Sequence, residues 1–324
     1  MYSLDPTHVA TGIATGQGLR PVRSRPSEDA LISSIGHTPL VSLGSIVARA
    51  GGDFELWAKA EFLNPTGSVK DRTARGIVLD ALADGRLDQG RTLMDASSGN
   101  TAVSYAMLGA RLGFPVELIL PANAHPSRVA RIRAYGAHIV FTDASDGTDG
   151  AQREARRRAL AGSDRYFYPD QYNNPSNHRA HYTSTGPEIW RQTAGRITHL
   201  VAGVGTGGTI SGVSRFLKER NPYVRVIGVE PSGPIHGIEG LKHLPTALRP
   251  STYDARLVDE TVRVETEEAL VMQARLSREE GLSVGSSAGA AVWAAAEIGR
   301  SSPEGVVVTI LPDGGHDTSS EAPI

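Results

Sequence analysis

Residues 64–72 read Asn-Pro-Thr-Gly-Ser-Val-Lys-Asp-Arg and place Lys70 between a Gly-Ser turn and a predicted helix over residues 73–84. The apolar residues of that helix recur on one side, so its start can hold the lysine in a fixed direction. An amine that points into a cleft and is partly shielded from water can form an imine with an aldehyde. A solvated lysine beside two charged neighbours is the alternative, and Lys70 alone does not exclude it.

Outward from this segment, short apolar or β-branched runs alternate with longer stretches of helical periodicity. The predicted strands cover residues 55–60, 92–95, 116–120, 138–142, 198–202, 225–229 and 306–311. The further predicted helices cover residues 101–112, 126–135, 150–160, 209–218, 265–280 and 288–298. Such alternation predicts an α/β fold with parallel-rich sheets flanked by helices.

The composition excludes several classes of function. A chain of 324 residues is too long for one small core, so two subdomains around a cleft are expected. The formal net charge of −2 provides no field that would attract nucleic acid or an anionic membrane. No apolar run reaches the roughly 20 residues that span a bilayer. Cysteine is absent, which excludes disulfides and thiolate metal sites and is compatible with a reducing cytoplasm.

A glycine-rich stretch at residues 203–209 (GVGTGGT) follows one predicted strand and opens a predicted helix. Successive glycines let backbone N–H groups approach a phosphate, and the helix N-terminus adds its dipole. The stretch also fits the G-x-G-x-x-G spacing of dinucleotide-binding folds, with Glu230 placed to bind a ribose at the end of the next strand. The glycine spacing therefore leaves a dehydrogenase as an alternative function, although a dehydrogenase would not need an imine-forming lysine.

Two further stretches of small residues open helices. Residues 97–101 (SSGNT) offer backbone N–H groups and hydroxyls that suit a carboxylate, and Asn100 adds an amide for a phenolic oxygen. A plain helix cap is the alternative, since Ser and Asn are favoured at that position. Residues 285–290 (GSSAGA) likewise place small residues at the start of a predicted helix, late in the chain.

Together, and in their order along the chain (64–72, 97–101, 203–209 and 285–290), the four motifs resemble the cysteine synthase and cystathionine β-synthase family, which are pyridoxal-phosphate enzymes of fold type II. The resemblance covers about residues 29–313 and includes GHTPL at 36–40. It implies a cofactor in the cleft between two subdomains. Residues 29–70 and 166–324 would form the larger cofactor-binding domain, and residues 71–165 a smaller mobile domain that closes over the substrate. Residues 1–28 would form an N-terminal arm.

The resemblance also implies the residues of the site, with Lys70 as the Schiff-base lysine and proton shuttle. The implied cofactor contacts are Asn100 at the 3′-oxygen, Gly205, Thr206, Gly207, Gly208 and Thr209 at the phosphate, and Ser287 at the pyridine nitrogen. The implied substrate contacts are Ser97, Ser98, Gly99, Thr101 and Gln171 around the α-carboxylate, and Lys242 near a phosphate leaving group. No metal site is expected.

A serine at the pyridine nitrogen bears on the reaction, because a hydroxyl is too weak an acid to protonate the ring. The weaker electron sink favours loss of a leaving group from Cβ over transamination. The implied reaction is β-replacement, first as a cysteine synthase that uses O-acetylserine or O-phosphoserine with sulfide. Another nucleophile, such as homocysteine or an amine, stays open, as does an idle binding homologue. A cytoplasmic homodimer with no nucleic-acid or membrane partner is expected.

Overall fold

The computed structural model describes residues 29–88, 90–97 and 99–315. The predicted arm at 1–28 and the substrate contact predicted for Ser98 therefore lie outside the described residues. The strands are β1 Leu40–Ser42, β2 Glu55–Ala60, β3 Thr92–Ala96, β4 Val116–Pro121, β5 His138–Thr142, β6 Tyr166–Phe167, β7 His199–Gly203, β8 Arg225–Pro231, β9 Glu260–Val264 and β10 Val306–Leu311. The α-helices are α1 Ala30–Ser33, α2 Gly44–Ala50, α3 Lys70–Ala83, α4 Asn100–Leu112, α5 Pro126–Ala134, α6 Gly147–Ala161, α7 Pro175–Ala180, α8 Gly186–Gln192, α9 Gly208–Arg220, α10 Thr266–Glu280 and α11 Ser286–Arg300.

The strands form two sheets. The larger sheet has the order β1-β2-β10-β7-β8-β9, and the smaller one the order β5-β4-β3-β6. Among these pairs only β1 and β2 run antiparallel. Parallel neighbours need crossover connections, which the helices between the strands provide. The predicted α/β fold with parallel-rich sheets is confirmed.

Helices cover both faces of each sheet. In β10, Val307 packs into the core beneath α10 and α11, whereas Val308 packs into the core beneath α8 and α9. Successive side chains of a strand point to opposite faces, so this strand is buried on both sides. The smaller sheet packs against α3 and α4 on one face and against Ala151 and Ala155 of α6 on the other. No helix among the described residues is long and apolar enough to cross a membrane.

The packing differs from the predicted domain limits at two points. Ile32 and Ile35 lie in the core of the smaller sheet with Tyr105, although the family resemblance places residues 29–70 in the larger domain. Strand β6 at residues 166–167 pairs with β3 and thus also belongs to the smaller sheet. The division into two domains and the mobility of the smaller one stay predictions.

Candidate active site

The four motifs meet around one cavity of about 400 Å³. It lies at the carboxyl ends of β3, β7 and β10, which is where parallel sheets place their ligand sites. The predicted site residues in its wall are Lys70, Ser97, Gly99, Asn100, Thr101, Gln171, Gly205, Thr206, Gly207, Thr209, Lys242 and Ser287. Gly208 does not line the wall, because it packs against Asn177 behind the glycine loop.

Lys70 is the first residue of α3, so the helix begins three residues before its predicted start. The preceding turn needs a glycine, since Gly67 has a φ of +85°. The Val69 N–H donates to the Pro312 carbonyl at 2.7 Å, which fastens the turn to the chain that follows β10. Burial lowers the pKa of the Lys70 amine, and the Asp313 carboxylate opposes this effect. A lower pKa makes the neutral amine more available as a nucleophile or a base.

A buried cluster of charges fixes the start of α3 behind Lys70. Arg72 donates from Nε to Glu61 at 2.7 Å and from Nη2 to Glu188 at 2.7 Å. Lys59 forms a second ion pair with Glu188, also at 2.7 Å. Burial alone would raise the pKa of Glu188, but the two cations lower it to about 2. No sequence motif indicated this role for Arg72, because Glu61 and Glu188 are distant from it in sequence.

Asp71 ties the same turn to α4. Its carboxylate accepts the Thr66 N–H at 2.7 Å and the Ser104 hydroxyl at 2.6 Å. Burial raises the pKa of Asp71, and these hydrogen bonds offset part of that effect. Because α4 carries Asn100 and Thr101, the contact sets the distance between the lysine motif and the SSGNT motif.

The glycine-rich loop joins β7 to α9 without room for side chains. A Cβ on Gly205 would lie 2.3 Å from the Gly240 carbonyl oxygen, and one on Gly208 would lie 1.9 Å from the Asn177 side chain. Gly207 has a φ of +82° and caps the helix. The N-terminus of α9 therefore lies at the cavity with its first backbone N–H groups and the positive end of its dipole, an arrangement that suits a phosphate.

Two side chains outside the four motifs, Asn177 and His181, support this loop. Asn177 donates to the Thr206 hydroxyl at 3.0 Å and to the Gln171 carbonyl at 2.7 Å. The Thr209 hydroxyl lies 3.2 Å from Nε2 of His181, which is buried. Burial lowers the pKa of His181 well below its usual value, so its ring is neutral and brings no charge beneath the loop.

The first turn of α4 forms the opposite wall of the cavity. The Thr101 hydroxyl donates to Oε1 of Gln171 at 2.8 Å, which joins two of the predicted carboxylate contacts. Asn100 donates from Nδ2 to Oδ2 of Asp313 at 2.7 Å. Backbone donors at a helix N-terminus, together with a hydroxyl and an amide, can hold a carboxylate.

The two remaining predicted contacts, Ser287 and Lys242, lie on separate parts of the chain that line the cavity. Ser287 is buried in the first turn of α11, at the cavity wall. Lys242 extends over the face of Tyr172, with its amine 4.8 Å from the ring centroid. Burial lowers the pKa of Lys242. Glu230, the ribose-binding acid of the dehydrogenase alternative, is buried and does not line the cavity.

An ion pair between Arg128 and Glu239, both outside the four motifs, connects two sides of the cavity. Arg128 on α5 contacts Glu239, in the loop after β8, through both guanidinium Nη atoms, the second contact being 2.7 Å long. Arg128 is 7% exposed and Glu239 is 63% exposed. The pair therefore links the part of the chain around the smaller sheet to a loop of the larger one at the rim of the cavity.

Comparisons with known proteins agree with this geometry. A model of the family described as pyridoxal-phosphate dependent enzymes matches residues 31–313. A cysteine synthase from Aquifex aeolicus is 47% identical over 297 residues, which are 90% of this chain and 91% of that protein. The structure of a cysteine synthase from Entamoeba histolytica is 29% identical and superposes with a TM-score of 0.86 over 96% of both chains. An O-acetylserine dependent cystathionine beta-synthase from Helicobacter pylori is 31% identical, with a TM-score of 0.84 over 90% of this chain and 97% of that one.

Proposed function

Because the chain belongs to the pyridoxal-phosphate dependent enzyme family, we propose that it is a cysteine synthase that replaces the Cβ substituent of an O-activated L-serine with sulfide. The observation that carries the proposal is the meeting of Lys70, the glycine loop and Ser287 in one cavity. Membership of this family excludes the dehydrogenase alternative, which depended on the glycine spacing at residues 203–208.

Pyridoxal phosphate fits the groups that line this cavity. The N-terminus of α9 and the Thr206 and Thr209 hydroxyls suit its phosphate, and Lys70 suits its aldehyde. Asn100 suits the 3′-oxygen, and Ser287 suits the pyridine nitrogen. When bound, the cofactor supplies an electron sink for the charge that develops at the substrate Cα.

Different side chains of the cavity bind the substrate, remove its proton and contact the cofactor ring. Thr101, Gln171 and the N-terminus of α4 bind the α-carboxylate, which sets the direction of the Cα–H bond. Lys70 removes the proton from Cα, and burial lowers the pKa of the free amine, which favours the neutral form that this step needs. The Ser287 hydroxyl donates a hydrogen bond to the pyridine nitrogen and leaves the ring uncharged. We also propose that the part of the chain around the smaller sheet closes over the bound substrate, since α4 belongs to it.

The leaving group is acetate or phosphate within this proposal, since the Cβ–O bond breaks. Lys242 lines the cavity, and a cation gains much from a dianionic phosphate but little from a neutral ester. The stacking of Lys242 on Tyr172 limits its motion toward solvent. A β-replacement with another nucleophile is the second candidate, because one of the similar structures is a cystathionine beta-synthase.

Single-turnover spectroscopy tests the proposed function. The cofactor absorption should change when O-acetylserine or O-phosphoserine is added, and it should return when sulfide is added, with release of cysteine. Homocysteine in place of sulfide tests the second candidate. A spectrum that no serine derivative changes would favour a binding homologue without activity. A homodimer in the cytoplasm is part of the proposal; light scattering should give twice the chain mass of 34.3 kDa.

A further inference from the structure

Asp313 follows β10 and lies in the cavity wall, but none of the proposed roles uses it. Its backbone is held on two sides: it pairs with Ser68 in an isolated β-bridge, and its carbonyl accepts the Gly285 N–H at 3.2 Å. A Cβ on Gly285 would lie 2.4 Å from Oδ1 of Asp313. The carboxylate is therefore packed closely between the lysine turn and the start of α11.

The two carboxylate oxygens of Asp313 differ in their contacts. Oδ2 accepts the hydrogen bond from Asn100 Nδ2 at 2.7 Å. Oδ1 is buried and has no hydrogen-bond partner among the described residues. A buried acceptor without a partner is unfavourable and calls for an explanation, such as a donor that reaches it in another state of the site.

Lys70 is the cation that can supply this donor, since both side chains line the same cavity. Burial lowers the pKa of the Lys70 amine, and the Asp313 carboxylate offsets part of that effect. Burial in turn raises the pKa of Asp313, while Asn100, Lys70 and Arg128 lower it and Glu239 raises it. Lys70 and Asp313 thus act on each other across the cavity.

We propose that Asp313 is a positioning residue for this reaction, orienting the Asn100 amide and serving as the counter-ion of Lys70 whenever the lysine amine is free. An amide nitrogen has two N–H donors. With one of them on Asp313, the other is left for the cavity, where the 3′-oxygen of the cofactor would accept it. When the free lysine amine is protonated, Oδ1 accepts a hydrogen bond from the Lys70 ammonium group. The inference rests on the proposed roles of Lys70 and Asn100.

The first test measures the reactivity of Lys70 in the full-length chain freed of cofactor. The rate of Lys70 acetylation by acetic anhydride is followed at neutral pH by peptide mass spectrometry. Asp313→Asn removes the counter-ion and should speed acetylation at least about threefold, because a larger fraction of the amine is neutral. Asp313→Glu keeps the charge, and Glu239→Gln removes a different carboxylate at the cavity; each should change the rate less than about twofold. Equal rates in wild type and Asp313→Asn, or equal acceleration by Asp313→Glu, would overturn the counter-ion role.

The second test measures the affinity for pyridoxal phosphate in a double-mutant cycle. Asp313→Asn should weaken binding about fivefold in the wild-type background and less than about twofold in the Asn100→Ala background, because the contact is then already lost. Equal weakening in both backgrounds would overturn the positioning of Asn100. Attachment of the cofactor to a lysine other than Lys70 would instead overturn the proposed function and leave the acetylation result unaffected.

Discussion

Nη2 of Arg72 lies 2.7 Å from Oε2 of Glu188, and both side chains are almost completely buried. The pair joins the first turn of α3, which begins with Lys70, to helix α8. The same carboxylate also binds Lys59, and Glu61 binds Arg72 as well, so two anions balance two cations in the interior. Buried ion pairs therefore fix the position of the helix turn that carries Lys70.

Glu188→Gln should destabilise the chain, because it leaves Arg72 and Lys59 buried without this anion. We expect a loss of about 3 kcal/mol or more in the free energy of unfolding, measured in urea at pH 7. Glu55→Gln removes an exposed pair with Arg196 and should cost less than about 1 kcal/mol. Similar losses in the two variants would contradict the structural role of the buried pair.

The same pair should leave a signature at acidic pH. The folded pKa of Glu188 is about 2, below its unfolded value of 4.5, so its contribution is present above pH 4.5 and is lost as the pH falls through about 2. The difference in stability between wild type and Glu188→Gln should therefore shrink over that range. A difference that stays constant down to pH 2 would show that the carboxylate charge is not involved.

Asp95 should have the opposite pH dependence. Burial at the end of β3 raises its pKa from 3.8 to about 8. The protonated form is stable in the fold, so its contribution is fully present below pH 3.8 and is lost as the pH rises through about 8. Asp95→Asn should gain at least about 1 kcal/mol relative to wild type between pH 5 and pH 9. The exposed variant Asp84→Asn should show no such gain, and a gain equal in both variants would refute the assignment.

Ser287→Asp should protonate the pyridine nitrogen of the bound cofactor. The stronger electron sink should slow β-replacement at least about tenfold, which corresponds to about 1.4 kcal/mol of barrier. Ser286→Asp is the matched control, because Ser286 is in the same helical turn but does not line the cavity. Unchanged turnover and an unchanged spectrum in Ser287→Asp would remove Ser287 from the site.

Lys242→Ala should discriminate between the two leaving groups. If Lys242 binds a phosphate, kcat/KM for O-phosphoserine should fall about tenfold or more, while that for O-acetylserine should change little. Lys218→Ala, which removes a lysine of α9 that pairs with Asp259, is the control. Equal losses for both substrates, or no turnover of O-phosphoserine by wild type, would favour the acetyl ester.

Most of the regular structure could be predicted from local patterns. Strands β2, β5 and β10 have the predicted bounds, and α10 begins within one residue of its predicted start, where Glu265 and Glu268 form a capping box. Strand β6 has two residues and β1 has three, which is too short for any periodicity to appear. Their positions follow from pairing with β3 and β2, which no local pattern contains.

The site could be predicted where a motif is contiguous and not where the partners are distant. The glycine loop and the SSGNT turn mark helix N-termini by composition alone. The hydrogen bond from Asn100 to Asp313 joins residues 213 positions apart, and that from Arg72 to Glu188 joins residues 116 apart. Such contacts depend on how the two sheets pack, so neither residue type nor spacing indicated them.

The central claim is that Lys70 carries the cofactor, and borohydride reduction tests it most directly. The enzyme with bound pyridoxal phosphate is reduced, digested and mapped by mass spectrometry. The pyridoxyl group should be on Lys70, and Lys70→Ala should yield no such peptide, while Lys242→Ala should yield it as wild type does. A pyridoxyl group on another lysine at wild-type occupancy in Lys70→Ala would contradict the claim.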